Sequence, residues 1–187
     1  MTAVTVRAVD AAGLTQYVEQ SLTVYGAAMG RPPSELPARR LILRRHLGYA
    51  GLTGQVALTP PNRLVGFSYG YRGTAGQWWH DLITAPLQSL DDGRWLNDPF
   101  EVAELHVLPE FQGAGLGRRL LTRLLTTVAA PVVLLSTPDA PTPARRLYRS
   151  MGFQELVTGF VFPGTSERYV VMGRPLPLDV TCEVPDA

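Results

Sequence analysis

The order of strand-like and helix-like segments along these 187 residues predicts a mixed α/β (α+β) fold. Two stretches carry the prediction. Residues 101–121, Glu-Val-Ala-Glu-Leu-His-Val-Leu-Pro-Glu-Phe-Gln-Gly-Ala-Gly-Leu-Gly-Arg-Arg-Leu-Leu, read as a strand, a short turn, a glycine-rich loop and the start of a helix. Residues 131–137, Pro-Val-Val-Leu-Leu-Ser-Thr, are the apolar run expected of a strand buried on both faces, and a helical pattern over 143–153 follows them.

The remaining elements follow from periodicity and breakers. Residues 5–9 read as a first strand, and 13–29 as a helix with Leu14, Tyr17, Val18, Ser21, Leu22 and Tyr25 along one face. Gly30-Arg31-Pro32-Pro33-Ser34 ends it, and 37–47 reads as a second helix stopped by Gly48 or Gly51. Residues 55–58 and 64–71 read as two strands joined at Pro60-Pro61-Asn62. The connection 73–100 is too long for a simple link; it holds a possible helix near Trp78, Trp79, His80 and Asp81, then a turn-rich segment. Leu105, Val107 and Leu108 give the next strand its character, and Pro109 closes it. Leu116, Leu120, Leu121, Leu124, Leu125 and Val128 then recur at helical spacing, opposite Arg118, Arg119, Thr122, Arg123, Thr126 and Thr127. Pro143 starts the later helix and Gly152 stops it. Residues 155–162 and 169–173 are the last strands. One domain is expected over 1–178, with a polar, poorly ordered tail over 179–187.

Composition narrows the function. A formal net charge of +1 argues against a protein built for nucleic acid. No apolar run reaches transmembrane length and the N-terminus lacks a secretory pattern, so neither a membrane nor export is expected, and the default location is cytoplasmic. Cys182 is the only cysteine, and the three histidines have no metal-ligand spacing, so no metal is expected.

The glycine-rich loop is the chemical signal. A helix N-terminus leaves backbone N–H groups without partners, glycines admit a close ligand, and the helix dipole favours an anion. The chain has no lysine, which excludes the nucleotide-triphosphate loop Gly-x-x-x-x-Gly-Lys-Ser/Thr. The dinucleotide fingerprint would need glycine where Arg118 stands. Gln112, Gly115 and Gly117 fit Gln/Arg-x-x-Gly-x-Gly/Ala, and Ala144, Tyr148, Gly152 and Phe153 fit Ala-x-x-x-Tyr-x-x-x-Gly-Phe about thirty residues on. With both patterns in this order, the chain closely resembles the GNAT superfamily of acyl-CoA-dependent N-acyltransferases, over roughly residues 1–178.

That resemblance implies a mixed, twisted central sheet of six to seven strands with helices on both faces. It implies that acetyl-CoA is the acyl donor, its pyrophosphate held at Gln112, Gly113, Ala114, Gly115, Leu116, Gly117, Arg118 and Arg119. The strand residues Leu105, His106 and Val107, and Ser136, Thr137 and Thr142, are expected along the rest of the donor. Where the family often carries an asparagine seven residues before its tyrosine, this chain has Pro141, leaving Thr142 or Asp139 to supply that hydrogen bond. The acceptor is expected near 73–100, with Trp78, Trp79 and His80 as its walls or as plain anchors of an insertion.

Acyl transfer to an amine sets three tasks: removing a proton from an ammonium of pKa about 10, stabilising an oxyanion, and protonating the departing thiolate. Tyr148, taken to lie near the start of its helix, is the candidate for the last. Glu101 and Glu104 compete as base. Strict alternation puts Glu101, Ala103, Leu105 and Val107 on one face of the strand and Val102, Glu104 and His106 on the other, unless a bulge intervenes. Glu104 has a second reading as a buried structural carboxylate paired with His106 or an arginine. Arg39, Arg40, Arg44 and Arg45 read as a solvated basic face. The expectation is therefore an acetyl-CoA-dependent N-acetyltransferase acting on a small-molecule or peptide primary amine by direct transfer, as a monomer or homodimer. The alternative is a non-catalytic acyl-CoA sensor on the same fold.

Overall fold

A computed structural model describes residues 3–178; the expected tail and Cys182 lie outside them. In chain order the elements are β1 (Thr5–Asp10), α1 (Ala11–Thr15), α2 (Val18–Met29), α3 (Leu36–His46), β2 (Thr53–Thr59), β3 (Arg63–Arg72), α4 (Trp78–Gln88), β4 (Pro99–Val107), α5 (Leu116–Leu125), β5 (Val132–Pro138), α6 (Pro143–Ser150), β6 (Gln154–Val161) and β7 (Arg168–Pro175). Short 3-10 turns fill Pro33–Glu35, Asp91–Leu96 and Pro109–Phe111. The chain folds as two compact units. One holds the residues up to Arg72 with Glu101–Leu124, the other Gly73–Phe100 with the residues from Leu125 on.

In the first unit the strands run β1-β2-β3-β4. β1 and β2 pair antiparallel from Thr5 opposite Leu58 to Asp10 opposite Thr53, and β2 and β3 also pair antiparallel. Leu14, Leu22, Val56, Phe67, Tyr69, Leu116 and Leu120 are among the residues of one apolar core. The segment expected as a single helix over 13–29 is two helices. The Asp10 carboxylate accepts from Gly13 N at 2.8 Å and so starts α1 at Ala11. The helix breaks at Gln16 and Tyr17, and this turns the buried Tyr17 so that its hydroxyl meets Arg7 and Asn62, at 3.2 and 3.3 Å. α5 ends at Leu125 rather than running to Val128, because Thr126, Thr127 and Val128 are weak helix formers.

In the second unit the order is β5-β7-β6, antiparallel throughout. The long connection does contain a helix, α4. Ile83 and Leu87 of α4 and Trp95 of the following turn are buried with Val132, Leu134, Phe162 and Val171. Trp95, 1% exposed, sits over the one place on β7 with no side chain, Gly173. A Cβ there would stand 2.8 Å from Trp95 Cζ3, 2.8 Å from Leu156 Cδ1 and 2.9 Å from Leu134 Cδ2. Gly173→Ala should therefore destabilise the protein by about 1–3 kcal/mol through overpacking, read as a lower urea midpoint at unchanged slope.

Candidate active site

The glycine loop joins β4 to α5. Gly113 and Gly115 have φ of 82° and 78°, a region that residues with a Cβ avoid. A Cβ on either would touch no protein atom, so the demand for glycine is conformational. The Gly115 carbonyl accepts from Arg119 N at 3.0 Å and begins the helix, whose first-turn N–H groups have no helical carbonyl to bind. Gln112 Nε2 donates to Val107 O at 2.8 Å and ties the loop back to its strand. Leu116 is buried and anchors α5, while Ala114 is exposed and Gly117 and Arg118 are half-buried. Arg119 is committed elsewhere: its guanidinium donates to Val4 O at 2.7 Å, fastening α5 to β1.

β4 is bulged. Gly73 N bonds Pro99 O at 2.8 Å and Leu108 N bonds Val65 O at 2.9 Å, so eight steps along the β3 side face nine along β4. Each side-chain pair locates the shift. The His106 ring lies 5.6 Å from Phe67, Glu104 lines a small hollow with Tyr69, and Glu101 bonds Tyr71. Phe67, Tyr69 and Tyr71 share one face of β3. The extra residue thus falls between Glu101 and Glu104 and brings both carboxylates to the same face, where strict alternation would have separated them.

Their environments differ. Glu104, 6% exposed, meets the Arg39 guanidinium on one oxygen and His106 Nε2 on the other. Glu101, 4% exposed, meets no cation among the described residues. It accepts one hydrogen bond, from the Tyr71 hydroxyl to Oε1 at 2.7 Å, and its buried Oε2 has no hydrogen-bond partner among the described residues. Burial pushes its carboxyl up to about 8, against the opposing effect of the Tyr71 bond. Leu105 and Val107 pack into the core of this unit.

Three residues that the sequence did not single out complete the cluster. His46, in the last turn of α3, has Nδ1 3.0 Å from the Tyr69 hydroxyl and Nε2 3.5 Å from that of Tyr71. Burial first, then Arg39 and Arg45, hold His46 down at about 4; burial and then Arg39 hold His106 at about 3. Both phenols are pushed above their usual range, chiefly by burial. The alternation Phe67-Ser68-Tyr69-Gly70-Tyr71 was the available signal: two phenols on the buried face of a strand need polar partners.

In the second unit, Ser136 Oγ accepts from Trp79 Nε1 at 3.0 Å and Thr137 is buried. Thr142 caps α6, accepting from Arg145 N at 3.1 Å. Tyr148 stands in the last turn of α6 rather than near its start; it is 6% exposed and burial raises its phenol. Trp79 packs against this unit's core and His80 is largely buried, whereas Trp78 is 52% exposed, with its ring 5.5 Å from Phe162. Among the described residues, no helix is long and apolar enough to cross a membrane, and no group of three or more His, Cys, Asp or Glu is placed to hold a metal.

These shifts fix a stability profile. His46 and His106 bind fewer protons folded than unfolded, so they contribute stability above pH 6.5 that is lost as pH falls toward 4. Glu101 has the opposite sign: its contribution is full below its unfolded value of 4.5 and is lost as pH rises through about 8. Their sum peaks near pH 6.5. Glu101→Gln should remove the decline between about pH 6.5 and 8, measured by urea unfolding across that range.

A profile of the Acetyltransferase (GNAT) domain family matches residues 62–155. A GCN5-like protein acetyltransferase of Mycobacterium tuberculosis is 41% identical over 123 residues, covering 62% of this chain and 60% of that relative, so the chain spans about three fifths of its length. The ribosomal-protein-S18-alanine N-acetyltransferase of Escherichia coli superposes with a TM-score of 0.65 at 16% identity, over 97% of this chain and 99% of that one. A GNAT superfamily phosphinothricin acetyltransferase of Sinorhizobium meliloti, solved with AcCoA, gives 0.59 at 22% identity, over 94% and 89%. The structural likenesses establish the fold, and the family match, spanning half of the sequence, establishes the kinship: the chain belongs to the GNAT superfamily of acetyltransferases.

Proposed function

We propose that this protein is an acetyl-CoA-dependent N-acetyltransferase, acting in the cytoplasm and transferring the acetyl group directly to a primary amine. One observation carries the reading. A single segment, β4 to α5, holds both a buried carboxylate of raised proton affinity and, eleven residues on, a loop of left-handed glycines opening a helix N-terminus. Those are the two parts that an acyl-CoA and an ammonium acceptor demand.

The residues divide as follows. The first-turn N–H groups of α5 and the loop 112–117 bind the pyrophosphate, and Arg118 adds charge. Leu105, His106 and Val107 line the donor's path along β4, and Ser136, Thr137 and Thr142 serve its further reach. Glu101 Oε2 takes a proton from the acceptor ammonium, and the freed amine attacks the thioester carbonyl. The backbone of the bulge, where one residue stands outside the ladder, offers an N–H to the developing oxyanion. As the C–S bond breaks, the Tyr148 phenol protonates the thiolate, and the second amine proton restores the phenol. Glu104 keeps its ion pair and holds β4 against α3. A protein or peptide amino group is the favoured acceptor, since the relative of 41% identity is a protein acetyltransferase; the exposed Trp78, rather than Trp79 or His80, is the aromatic side chain free to meet it.

Calorimetry should show acetyl-CoA binding to the parent protein, weakened about tenfold or more in Gly115→Val, because a left-handed β-branched residue costs on the order of 1–2 kcal/mol. With an amine acceptor, kcat should climb with pH to a plateau above about 8, as Glu101 loses its proton. Glu101→Gln should cost roughly a hundredfold or more and flatten that limb, and Tyr148→Phe should lower kcat with little change in donor affinity. Binding without thiol release from any amine would instead make this an acyl-CoA sensor.

A further inference from the structure

We propose that Tyr71 is a positioning residue for the reaction: it holds Glu101 by Oε1, so that Oε2 alone takes the acceptor's proton. The inference rests on the assignment of Glu101 as base. Tyr71 is 1% exposed, and its ring lies against those of His46 and Tyr49, with centroids 5.0 and 4.8 Å away. The phenol oxygen therefore has a fixed place, and the carboxylate comes to it. The one hydroxyl hydrogen of Tyr71 goes to Oε1 at 2.7 Å, because two oxygens that close, one of them charged, need a hydrogen between them. Oε1 is thereby engaged. Oε2 has no hydrogen-bond partner among the described residues, and its lone pairs are the ones left for an ammonium.

The groups behind Tyr71 keep its hydrogen there. Tyr69 shares a small hollow with Arg39, and a hydroxyl beside a cation turns its oxygen toward the charge and its hydrogen away. Glu104 lines the same hollow, but Arg39 engages one of its oxygens and His106 the other. The Tyr69 hydrogen then points at His46 Nδ1, 3.0 Å off. An Nδ1 that accepts leaves the one hydrogen of the neutral imidazole on Nε2, which faces the Tyr71 oxygen at 3.5 Å. His46 therefore offers Tyr71 a donor and no lone pair, and the Tyr71 hydrogen stays on Glu101. When the acceptor's N–H bond breaks, its electron pair remains on nitrogen and the new O–H bond forms on Oε2; no hydrogen along the chain has to move. The Tyr71 bond also favours the charged carboxyl, against burial, and so lowers the pH at which Glu101 becomes a base. The charged and titratable groups around the pair are Arg39, Arg45 and His46 of α3, Tyr49 after it, Tyr69 of β3 and Glu104 of β4.

The test is NMR of the full-length protein labelled with carbon-13 at the glutamate carboxyl and nitrogen-15 at histidine. Glu101 is assigned by the loss of its signal in Glu101→Gln, and His46 by its through-space contacts with the Tyr69 and Tyr71 rings. In the parent the Glu101 carboxyl should titrate at about 8, and above that titration the His46 hydrogen should sit on Nε2. In Tyr71→Phe the titration should move up by roughly one unit or more. In His46→Leu it should move up by less, and in the double variant no further than in Tyr71→Phe, because His46 acts on Glu101 through Tyr71. In turnover, Tyr71→Phe should shift the rising limb of kcat by the same amount and lower its plateau roughly tenfold, with the KM for acetyl-CoA unchanged. An unmoved carboxyl titration in Tyr71→Phe, an equal effect of His46→Leu with and without Tyr71, or a hydrogen on Nδ1 in the parent above the titration would each overturn the proposal. The tautomer is read on the parent protein, so it decides even where a variant does not fold. Full activity of Glu101→Gln would instead overturn the base assignment; the carboxyl titration and the tautomer, read without turnover, tell the two failures apart.

Discussion

The additional residue in β4 is the constraint on which the rest of the first unit depends. A regular strand would send Glu101 and Glu104 to opposite faces, one of them away from α3. The bulge puts both on the face of Phe67, Tyr69 and Tyr71, within reach of Arg39 and His46 from a single helix. Two buried carboxylates on one face could repel each other and raise both pKa values. Here they are divided instead: one is neutralised by a guanidinium and hydrogen-bonded to an uncharged imidazole, the other is given a phenol and, among the described residues, no cation. Placement side by side with unlike partners is how one scaffold holds a fixed charge and a titrating group within a few residues of each other.

Much of this was legible in the sequence. The glycine loop announces itself because Gly113 and Gly115 adopt a backbone that side chains resist, and α5 because its leucines recur at helical spacing. Both carboxylates were visible as candidates, and so was Glu104's pairing with His106 or an arginine. The ranking between their faces was not visible. A bulge is set by how β4 registers on β3, a contact between residues some 30 positions apart that leaves no local mark. The split of the first helix was missed for a similar reason. Asp10 caps α1 through a hydrogen bond that the sequence allows, but the break at Tyr17 answers to Arg7 and Asn62, which only the fold brings to it.

The tryptophans show where composition misleads. Trp78 and Trp79 are adjacent and equivalent as letters. In the helix α4 their side chains point about 100° apart, so one indole bonds Ser136 and packs inward while the other stays exposed. Trp95, which drew no attention within its turn-rich segment, is the best buried of the three and is seated against the bare backbone of Gly173.

Arg39 joins these features. It neutralises Glu104, lies with its guanidinium 4.6 Å from the Tyr25 ring centroid, and its field adds to burial in holding His46 and His106 neutral. A cation beside two buried imidazoles makes adding a proton to either one unfavourable, so neither becomes charged where Glu101 titrates.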